Sequence, residues 1–555
     1  MSGSGEALWW RGAVVYQIYP RSFADSNGDG IGDLNGILAR LDHVAALGAD
    51  AIWLSPVYPS PNRDFGYDVS DYCAIHPEFG TMADFDALLS EVHARGMKLI
   101  LDQVLSHTSD EHPWFADSVL GGEKRDWYVW AEAKADGTAP NNWLSAFGGP
   151  AWSWHPARRR YYHHKFLRQQ PKLNLHHPQA REAALQVLRF WLDRGVDGFR
   201  LDVANSYLHD PALTDNPPEP EPTPYHWAHA PRLQRHCHDA NRPENAEMLR
   251  EIRKLMDDYP GSFAFGEFSE APEMIGAYAG PGALHSGYTF DFIEDERFEP
   301  GGFKAYYGML ARTAGLWPCV TFSNHDSVRT VTRFGRRPPG SGADPDLARL
   351  CLSLLLCLRG TVLLYQGEEL GLDQAEIGDR ELIRDPVGDL YFPFFKGRDG
   401  SRTPMPWQAD APNAGFSAST PWLPLAASHR AMAVDRQERE PASVLRFAQR
   451  AIAARHANPA LSHGEIVFLN APGPLLVFER RHGGRRVLCL FNLDRKPVSL
   501  PAGEMDGQAL GEALALAARG RAEAGLCTES EKERAAHAMQ GLAARIINLQ
   551  PEECA

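Results

Sequence analysis

With 555 residues the chain is too long for one simple domain and long enough for a large barrel with accessory pieces. Its 44% apolar content is that of a globular protein, and its 14 Trp, 17 Tyr and 26 Phe suit either a large core or sugar-facing platforms. A formal net charge of -15 argues against nucleic acid or an anionic membrane surface as partner, because both reward basic patches.

In chain order, Val14–Tyr19 (VVYQIY) reads as a strand. Leu34–Leu47 follows with apolar residues at helical spacing, then the strand Ala51–Leu54, the helix Phe85–Ala94 and the strand Leu99–Asp102. This alternation predicts a parallel sheet with helices outside it. The pattern breaks over 107–178, which is rich in Trp, His, Gly and Arg, and that stretch reads as an inserted domain. Alternation resumes with helix Ala180–Leu192, strand Gly198–Leu201, helix Ala246–Met256, and strands Phe263–Gly266 and Tyr288–Phe292. Helix Phe303–Ala314, strand Val320–Ser323, helix Asp346–Leu358 and strand Val362–Tyr365 bring the strands to eight, the number that closes a (β/α)8 TIM barrel.

The α/β barrel is therefore expected over 1–106 and 179–463, with an inserted domain over 107–178 after strand three. Within it, 367–432 reads as a long irregular loop region and Ala442–Ala457 as the last helix. Ile466–Leu469, Leu475–Arg480 and Arg486–Phe491, two of them joined by a His482-Gly483-Gly484 turn, predict a C-terminal antiparallel β domain over 464–555. The Ala- and Leu-rich stretch 507–547 reads as helix, which suits that domain poorly. Between the fourth and fifth strands, Asn205–Glu244 carries the Pro-rich run Asn216–Pro224, a stiff extended loop. It reads as a cover on the acceptor side of the catalytic face, or as a surface excursion.

Eight cysteines lie far apart without a CxxC pair, which suggests reduced thiols rather than a zinc or redox motif. The first residues lack a basic segment followed by an apolar run, and the most apolar stretch, Cys351–Leu364, is interrupted by Arg359 and Gly360. The expectation is a cytoplasmic protein without membrane span, monomeric or homodimeric.

Reactive side chains of such a barrel sit at the C-terminal ends of its strands. Strand three ends at Asp102 with His107 just after, strand four at Arg200-Leu201-Asp202, strand five at Gly266-Glu267-Phe268, and strand seven at Asn324-His325-Asp326. One acid at a strand end is usually a helix cap; acids at four, attended by Arg and His, point to chemistry. The set suits retaining glycoside hydrolysis, which needs an ionised carboxylate and a protonated carboxyl about 5 Å apart. Arg200, two residues before Asp202, points to the same face and would keep it ionised. Glu267, between Gly266 and Phe268, is expected in a partly apolar setting that suits an acid. Asp326 suits sugar hydroxyls, and His107 and His325 can donate to hydroxyls or developing charge.

The segments DQVLSH, GFRLDVAN, GEF and FSNHD resemble the conserved regions of the α-amylase superfamily, glycoside hydrolase family 13. The resemblance implies Asp202 as nucleophile, Glu267 as acid/base and Asp326 as transition-state stabiliser, with Arg200, His107 and His325 at the −1 sugar site. It makes Asp102 mainly structural. Ser106 stands where many members carry Asn, sometimes a calcium ligand. Gly66-Tyr67-Asp68 resembles the α-glucosidase and oligo-1,6-glucosidase branch, where the Tyr stacks on the terminal glucose and the Asp binds its 4-hydroxyl side. Arg398 resembles the Arg that pairs with that Asp and closes the pocket, with Arg402 as the alternative partner. Phe147 and Phe166 read either as flanking the sugar or as core. Gln170-Pro171-Lys172-Leu173-Asn174 is similar to the QPDLN signature of this branch but departs from it at Lys172, towards neopullulanase relatives.

Asp25, Asn27, Asp29 and Asp33 place oxygen side chains at alternate positions around Gly28 and Gly30, which suits a hard cation. The bidentate Glu of a full EF-hand is missing, since Gly36 occupies its place. The same loop in the resembling α-glucosidases holds calcium or magnesium. A structural Ca2+ or Mg2+ is expected at Asp25, Asn27, Asp29, the Ile31 carbonyl and Asp33; a solvated turn is the alternative. No organic cofactor is expected. The pairs His163-His164 and His176-His177 read as polar loop histidines.

The chain is thus expected to be a retaining, exo-acting α-glucosidase on short α-glucosides, with alcohols or sugars as transfer acceptors. Alternatives are an oligo-1,6-glucosidase, to which Val203 after the nucleophile leans, or a sucrose- or trehalose-converting transferase or isomerase. The RLDRD-like loop of sucrose isomerases is missing. A non-catalytic transporter subunit would have lost the acids that this chain keeps.

Overall fold

Eight short parallel strands carry the architecture of this computed structural model, which describes residues 8–220, 230–269, 272–496, 498–499, 538–539 and 544–549. They are Val14–Ile18, Ala51–Leu54, Lys98–Gln103, Gly198–Leu201, Phe263–Phe268, Ser286–Thr289, Cys319–Val320 and Thr361–Tyr365. Their spatial order follows the chain around a nearly closed barrel, the last strand lying beside the first. At the seam between Ser286–Thr289 and Cys319–Val320 a side chain takes over from the ladder. Ser286 Oγ donates to the Trp317 carbonyl at 2.6 Å and meets Cys319 Sγ at 3.3 Å.

The helices outside the barrel follow from local chemistry. Met82–Ala94 opens with a Thr81–Asp84 capping box. Pro178–Asp193 begins with Pro at its first turn and turns Ala180, Ala184, Val187, Leu188 and Trp191 inward, a helical stripe. Each fully buried Leu or Val on that stripe contributes about 1.5–3 kcal/mol. Asp344 caps Pro345–Cys357, whose apolar residues are buried almost all round because the C-terminal sheet covers its outer side.

Residues 130–163 hold a small antiparallel sheet of Trp130–Ala131, Trp152–His155 and Arg160–His163. A second antiparallel sheet joins Glu465–Leu469, Leu475–His482, Arg485–Asn492 and Ala544–Leu549.

Several expectations need correction. The single helix over 34–47 is two, Leu34–Ala39 and Leu41–Leu47, because Arg40 leaves helical geometry at φ -111°, ψ 7°. The sixth strand ends at Thr289, whose hydroxyl donates to Asp291, and Asp291–Glu294 is helical rather than extended. Where 507–547 read as helix, 538–539 and 544–547 are strand, the latter completing the C-terminal sheet. The remainder of that stretch, and 221–224 of the Pro-rich run, lie outside the described residues. Among the described residues no helix is long and apolar enough to cross a membrane.

Candidate active site

Register builds the site. Asp102 and Arg200 are direct partners across the third and fourth strands, and Arg200 Nη1 donates to Asp102 Oδ1 at 2.7 Å. Leu201 pairs with Gly266, so the next residues, Asp202 and Glu267, leave adjacent strand ends together. Glu267 in turn is paired with Tyr288. Gly266 and Gly287 are required here, because a Cβ on either would lie 2.5 or 2.2 Å from the Phe268 ring.

A single buried guanidinium therefore touches both expected carboxylates. Arg200 Nη1 reaches Asp202 Oδ1 at 2.7 Å and Nη2 reaches Glu267 Oε1 at 2.5 Å. Burial drives the Asp202 carboxyl above its ordinary range, with Arg200 pulling the other way. Glu267 also accepts from Tyr288 Oη at 2.8 Å and from the Val203 amide at 3.2 Å. Its setting is thus charge-paired and hydrogen-bonded, not the partly apolar one expected from Gly266 and Phe268. The Val203 contact comes with a left-handed backbone, φ 37°, ψ 47°, which a β-branched residue rarely adopts.

On the other side of the pocket, His325 lies nearly parallel to Tyr67 and to Tyr19, with ring centroids at 5.2 and 5.6 Å. Tyr67 Oη bonds His325 Nε2 at 2.6 Å and donates to Asp102 Oδ2 at 3.0 Å. Gln17 Nε2 meets His325 Nδ1 at 2.9 Å. His107 packs under this layer, with Nε2 on the Tyr67 carbonyl at 2.9 Å and Nδ1 on Ser106 Oγ at 2.5 Å. Burial pushes both His107 and His325 down to about 3, so both are neutral rings near pH 7.

Asp326 sits where two arginines converge, Arg402 Nη2 at 2.5 Å and Arg398 Nη1 at 3.2 Å. Burial alone would raise its carboxyl; His325, Arg398 and Arg402 outweigh that and hold it below the ordinary carboxylate range. Both arginines named in the sequence thus reach the site.

The expected Asp68–Arg398 pair does not form. Arg398 instead bonds Asp64 Oδ1 at 2.7 Å and Asp385 Oδ1 at 2.7 Å. Both Asp68 oxygens are taken by its own loop, from Ser60 Oγ at 2.7 Å and from the amides of Asp64 and Arg63 at 3.0 and 2.9 Å. Positive φ at Phe65 (45°) and Gly66 (106°) reverses the chain between the two acids. Phe147 stands against Arg398, 4.9 Å from guanidinium to ring centroid, and Phe166 bridges Phe147 and His107 at 5.3 Å each. Both phenyl rings are half-buried, so they are wall rather than core.

Asp64, Asp385 and Tyr288 were not singled out by sequence reasoning. Asp64 lies within the same short loop as Tyr67, a signal that was available. Asp385 lies in the irregular 367–432 region and Tyr288 reads as an ordinary strand residue, so neither carried one.

The loop 25–33 is folded on its own oxygens. Asp25 accepts from the amides of Gly28 and Gly30 at 2.7 and 2.8 Å, Asn27 from Asp29 at 2.9 Å, and Asp29 from Ile31 at 2.8 Å. Asp33 accepts from Ser26 and caps the helix Leu34–Ala39 through Gly36 N at 2.6 Å. Among the described residues no group of three His, Cys, Asp or Glu converges as a metal site. The donor set is nonetheless all oxygen, and the Asn27 and Asp29 side chains each have a single amide partner, which fits a hard cation.

The catalytic-domain family described as "Alpha amylase, catalytic domain" matches residues 17–464. A probable alpha-glucosidase of Rhizobium meliloti is 53% identical over 502 residues, 87% of this chain and 89% of that one. The oligo-1,6-glucosidase of Parageobacillus thermoglucosidasius is 36% identical, covering 88% of this chain and 91% of its own. Among solved structures, the alpha-glucosyl transfer enzyme XgtA superposes with TM-score 0.89 at 45% identity, over 98% of this chain and 100% of that one. The trehalulose synthase MutB superposes with TM-score 0.84 at 32% identity over 98% and 100%.

Proposed function

The chain belongs to the α-amylase family of glycoside hydrolases, in its α-glucosidase and oligo-1,6-glucosidase branch, and from that premise we propose a retaining, exo-acting hydrolase of short α-glucosides. The observation that carries the retaining reading is the shared guanidinium: Asp202 and Glu267 flank Arg200 closely enough for both to touch it. Retaining chemistry needs two carboxyl groups that near.

In the proposed reaction Asp202 Oδ attacks the anomeric carbon as Glu267 gives its proton to the leaving oxygen. The glycosidic bond breaks and a glucosyl–Asp202 ester forms with inverted configuration. Glu267, now a carboxylate, takes a proton from water, whose oxygen attacks the same carbon and releases Asp202 and α-glucose. An alcohol or sugar in place of water gives transglucosylation as a side reaction. Asp326, held ionised, would bind ring hydroxyls more strongly as the oxocarbenium ion develops. Neutral His107 and His325, whose ring nitrogens are taken by Tyr67, Ser106 and Gln17, would hold the sugar-facing layer in place without adding a like charge to that cation.

Exo action is supported by the buried Asp64–Arg398–Asp385 cluster beside Asp326, which would act as a charged end wall against a chain terminus. Short substrates are supported by the Asn205–Glu244 segment. It is tied to the inserted domain through Asn142 Nδ2 on the Asn216 carbonyl at 2.9 Å and Trp143 Nε1 on the Thr214 carbonyl at 2.8 Å. Val203, following the nucleophile as in the resembling α-1,6-acting enzymes, supports a leaning towards α-1,6 bonds. A sucrose- or trehalose-converting activity is the second reading, favoured by the likeness to a trehalulose synthase. We also place a structural Ca2+ or Mg2+ in the loop 25–33.

Incubation with maltose, isomaltose, sucrose and trehalose, followed by NMR, tests the whole reading. It expects α-glucose as the first sugar released, and loss of at least about 10³-fold in kcat for Asp202→Ala. Initial β-glucose, or an active Asp202→Ala, would falsify the retaining mechanism. An isomeric disaccharide as main product from sucrose or trehalose would favour the second reading.

A further inference from the structure

At the base of the barrel, opposite the strand ends that carry the acids, lies a cavity of about 1000 Å³. It is bounded by residues that precede barrel strands, Arg11, Trp317 and Arg359, by the helix Pro300–Leu310, and by the C-terminal sheet. The protein carries a net charge of -15, yet this cavity is cationic. Arg11, Lys304 and Arg359 line it, with His463 and His482, whose rings lie 5.9 Å apart. Glu465 is the acid in its lining, and it is held by Arg359 at 3.0 Å. Among the described residues Arg11 and Lys304 have no carboxylate partner.

The field is reinforced from behind. Arg455 and Arg480, both fully buried, bind backbone carbonyls alone: Gly12 and Gly360 for the first, Cys357 and Gly464 for the second. Neither charge is neutralised by a carboxylate, and the His463 ring, facing Arg455, Arg11 and Arg480, is pushed down by burial and by those cations. The wall is aromatic. Trp317 lies under Arg359 at 4.7 Å and Arg11 at 5.7 Å, and Tyr307 borders it. The Trp317 ring, not its buried indole N–H, is what the cavity meets.

We propose that this cavity is a second ligand site, for a phosphate monoester or free phosphate, distinct from the glucoside pocket. Arginine forks and lysine suit a dianion, and the indole and phenol faces suit an attached sugar or other flat organic body. This site stands independently of the reaction proposed above.

Calorimetric titration of the full chain tests it, with inorganic phosphate, glucose 6-phosphate and glucose as separate probes. Each is run with and without 1-deoxynojirimycin to fill the catalytic pocket. Saturable binding of one or both phosphate probes is expected, unchanged by the iminosugar and weakened at least tenfold in Arg11→Glu/Lys304→Glu. A preference for glucose 6-phosphate identifies an organic phosphate; equal binding identifies the phosphate group alone. If the double variant melts early, Lys304→Glu alone, on the helix surface, gives the same comparison. No saturable binding, binding displaced by the iminosugar, or binding indifferent to the substitutions overturns the proposal.

Discussion

Asp64 and Asp68 stand four residues apart on one loop and do opposite work. Asp64 pairs directly with Arg398, whereas Asp68 spends both oxygens on Ser60 and on the amides of residues 63 and 64. Asp64→Asn is therefore expected to remove one of the three carboxylates that hold Arg398 at the sugar-binding wall, leaving Asp385 and Asp326. Loosening that wall should lower kcat/KM for a disaccharide about tenfold, the equivalent of about 1.4 kcal/mol, and the two remaining carboxylates should keep the change in melting temperature small. Asp68→Asn should do the reverse, lowering the melting temperature and leaving kcat/KM within a few-fold. Steady-state kinetics beside thermal melts separate the two, and an inactive, stable Asp68→Asn would restore the original pairing. Tyr288 makes the second prediction at this scale. Its hydroxyl donates to Glu267, so Tyr288→Phe should slow cleavage of maltose or isomaltose about tenfold, the worth of one charge-assisted hydrogen bond. Aryl α-glucosides with acidic phenol leaving groups need no proton and should be cleaved at near wild-type rate. An equal loss on both substrate kinds would mean that Tyr288 acts elsewhere. Asp202, Glu267 and Asp326 were legible in the sequence because each follows a recognisable strand. Asp68 takes the place of Asp64 in the expected pair with Arg398 because nothing in the letters shows that Phe65 and Gly66 reverse the chain.

Elements were easiest to read where apolar periodicity and turn chemistry agree. The barrel strands fall within a few residues of their expected places, since each is a buried run bounded by polar residues. The helix expected from Ala and Leu content over 507–547 failed at 544–547 because composition carries no register. The Arg485–Asn492 strand needs a partner on its far side, and Ala544–Leu549 supplies it. The loop 25–33 shows a related ambiguity. Alternating oxygen residues build a cation cage, but the same residues build successive side-chain-to-amide turns without one. If a cation is bound, dialysis against a chelator should lower the melting temperature by several degrees, and Ca2+ or Mg2+ should restore it. Asn27→Ala should abolish the response. A melt indifferent to chelation would leave the loop held by its own amides.

At the scale of the whole molecule, the pieces are joined by buried cations whose partners are backbone carbonyls. Arg480 holds the end of the helix Pro345–Cys357 against the C-terminal sheet, Arg455 holds it against the helix Val444–Ala457, and Arg333 ties the carbonyls of Phe292, Asp295 and Phe322. Lys172 plays that part near the nucleophile. It departs from the branch signature, bridges to His107 through the backbone, and donates its ammonium to the Ser206 carbonyl, just beyond Asp202. Burial, with Lys165 nearby, pushes Lys172 down to about 7. In the unfolded chain it titrates near 10.4. Between those values the unfolded chain holds a proton that the folded chain releases, so this lysine's contribution to stability rises with pH. The cost of burying it is full below about pH 7 and is relieved towards pH 10, at about 1.4 kcal/mol per pH unit. Lys172→Met, of similar length and without charge, removes this dependence. The stability of the wild type relative to Lys172→Met should therefore climb by about 2–3 kcal/mol between pH 7 and pH 9 in denaturant unfolding, whatever the other groups contribute to both proteins alike. A difference that stays flat over that range would mean that the Lys172 ammonium keeps its charge on the Ser206 carbonyl.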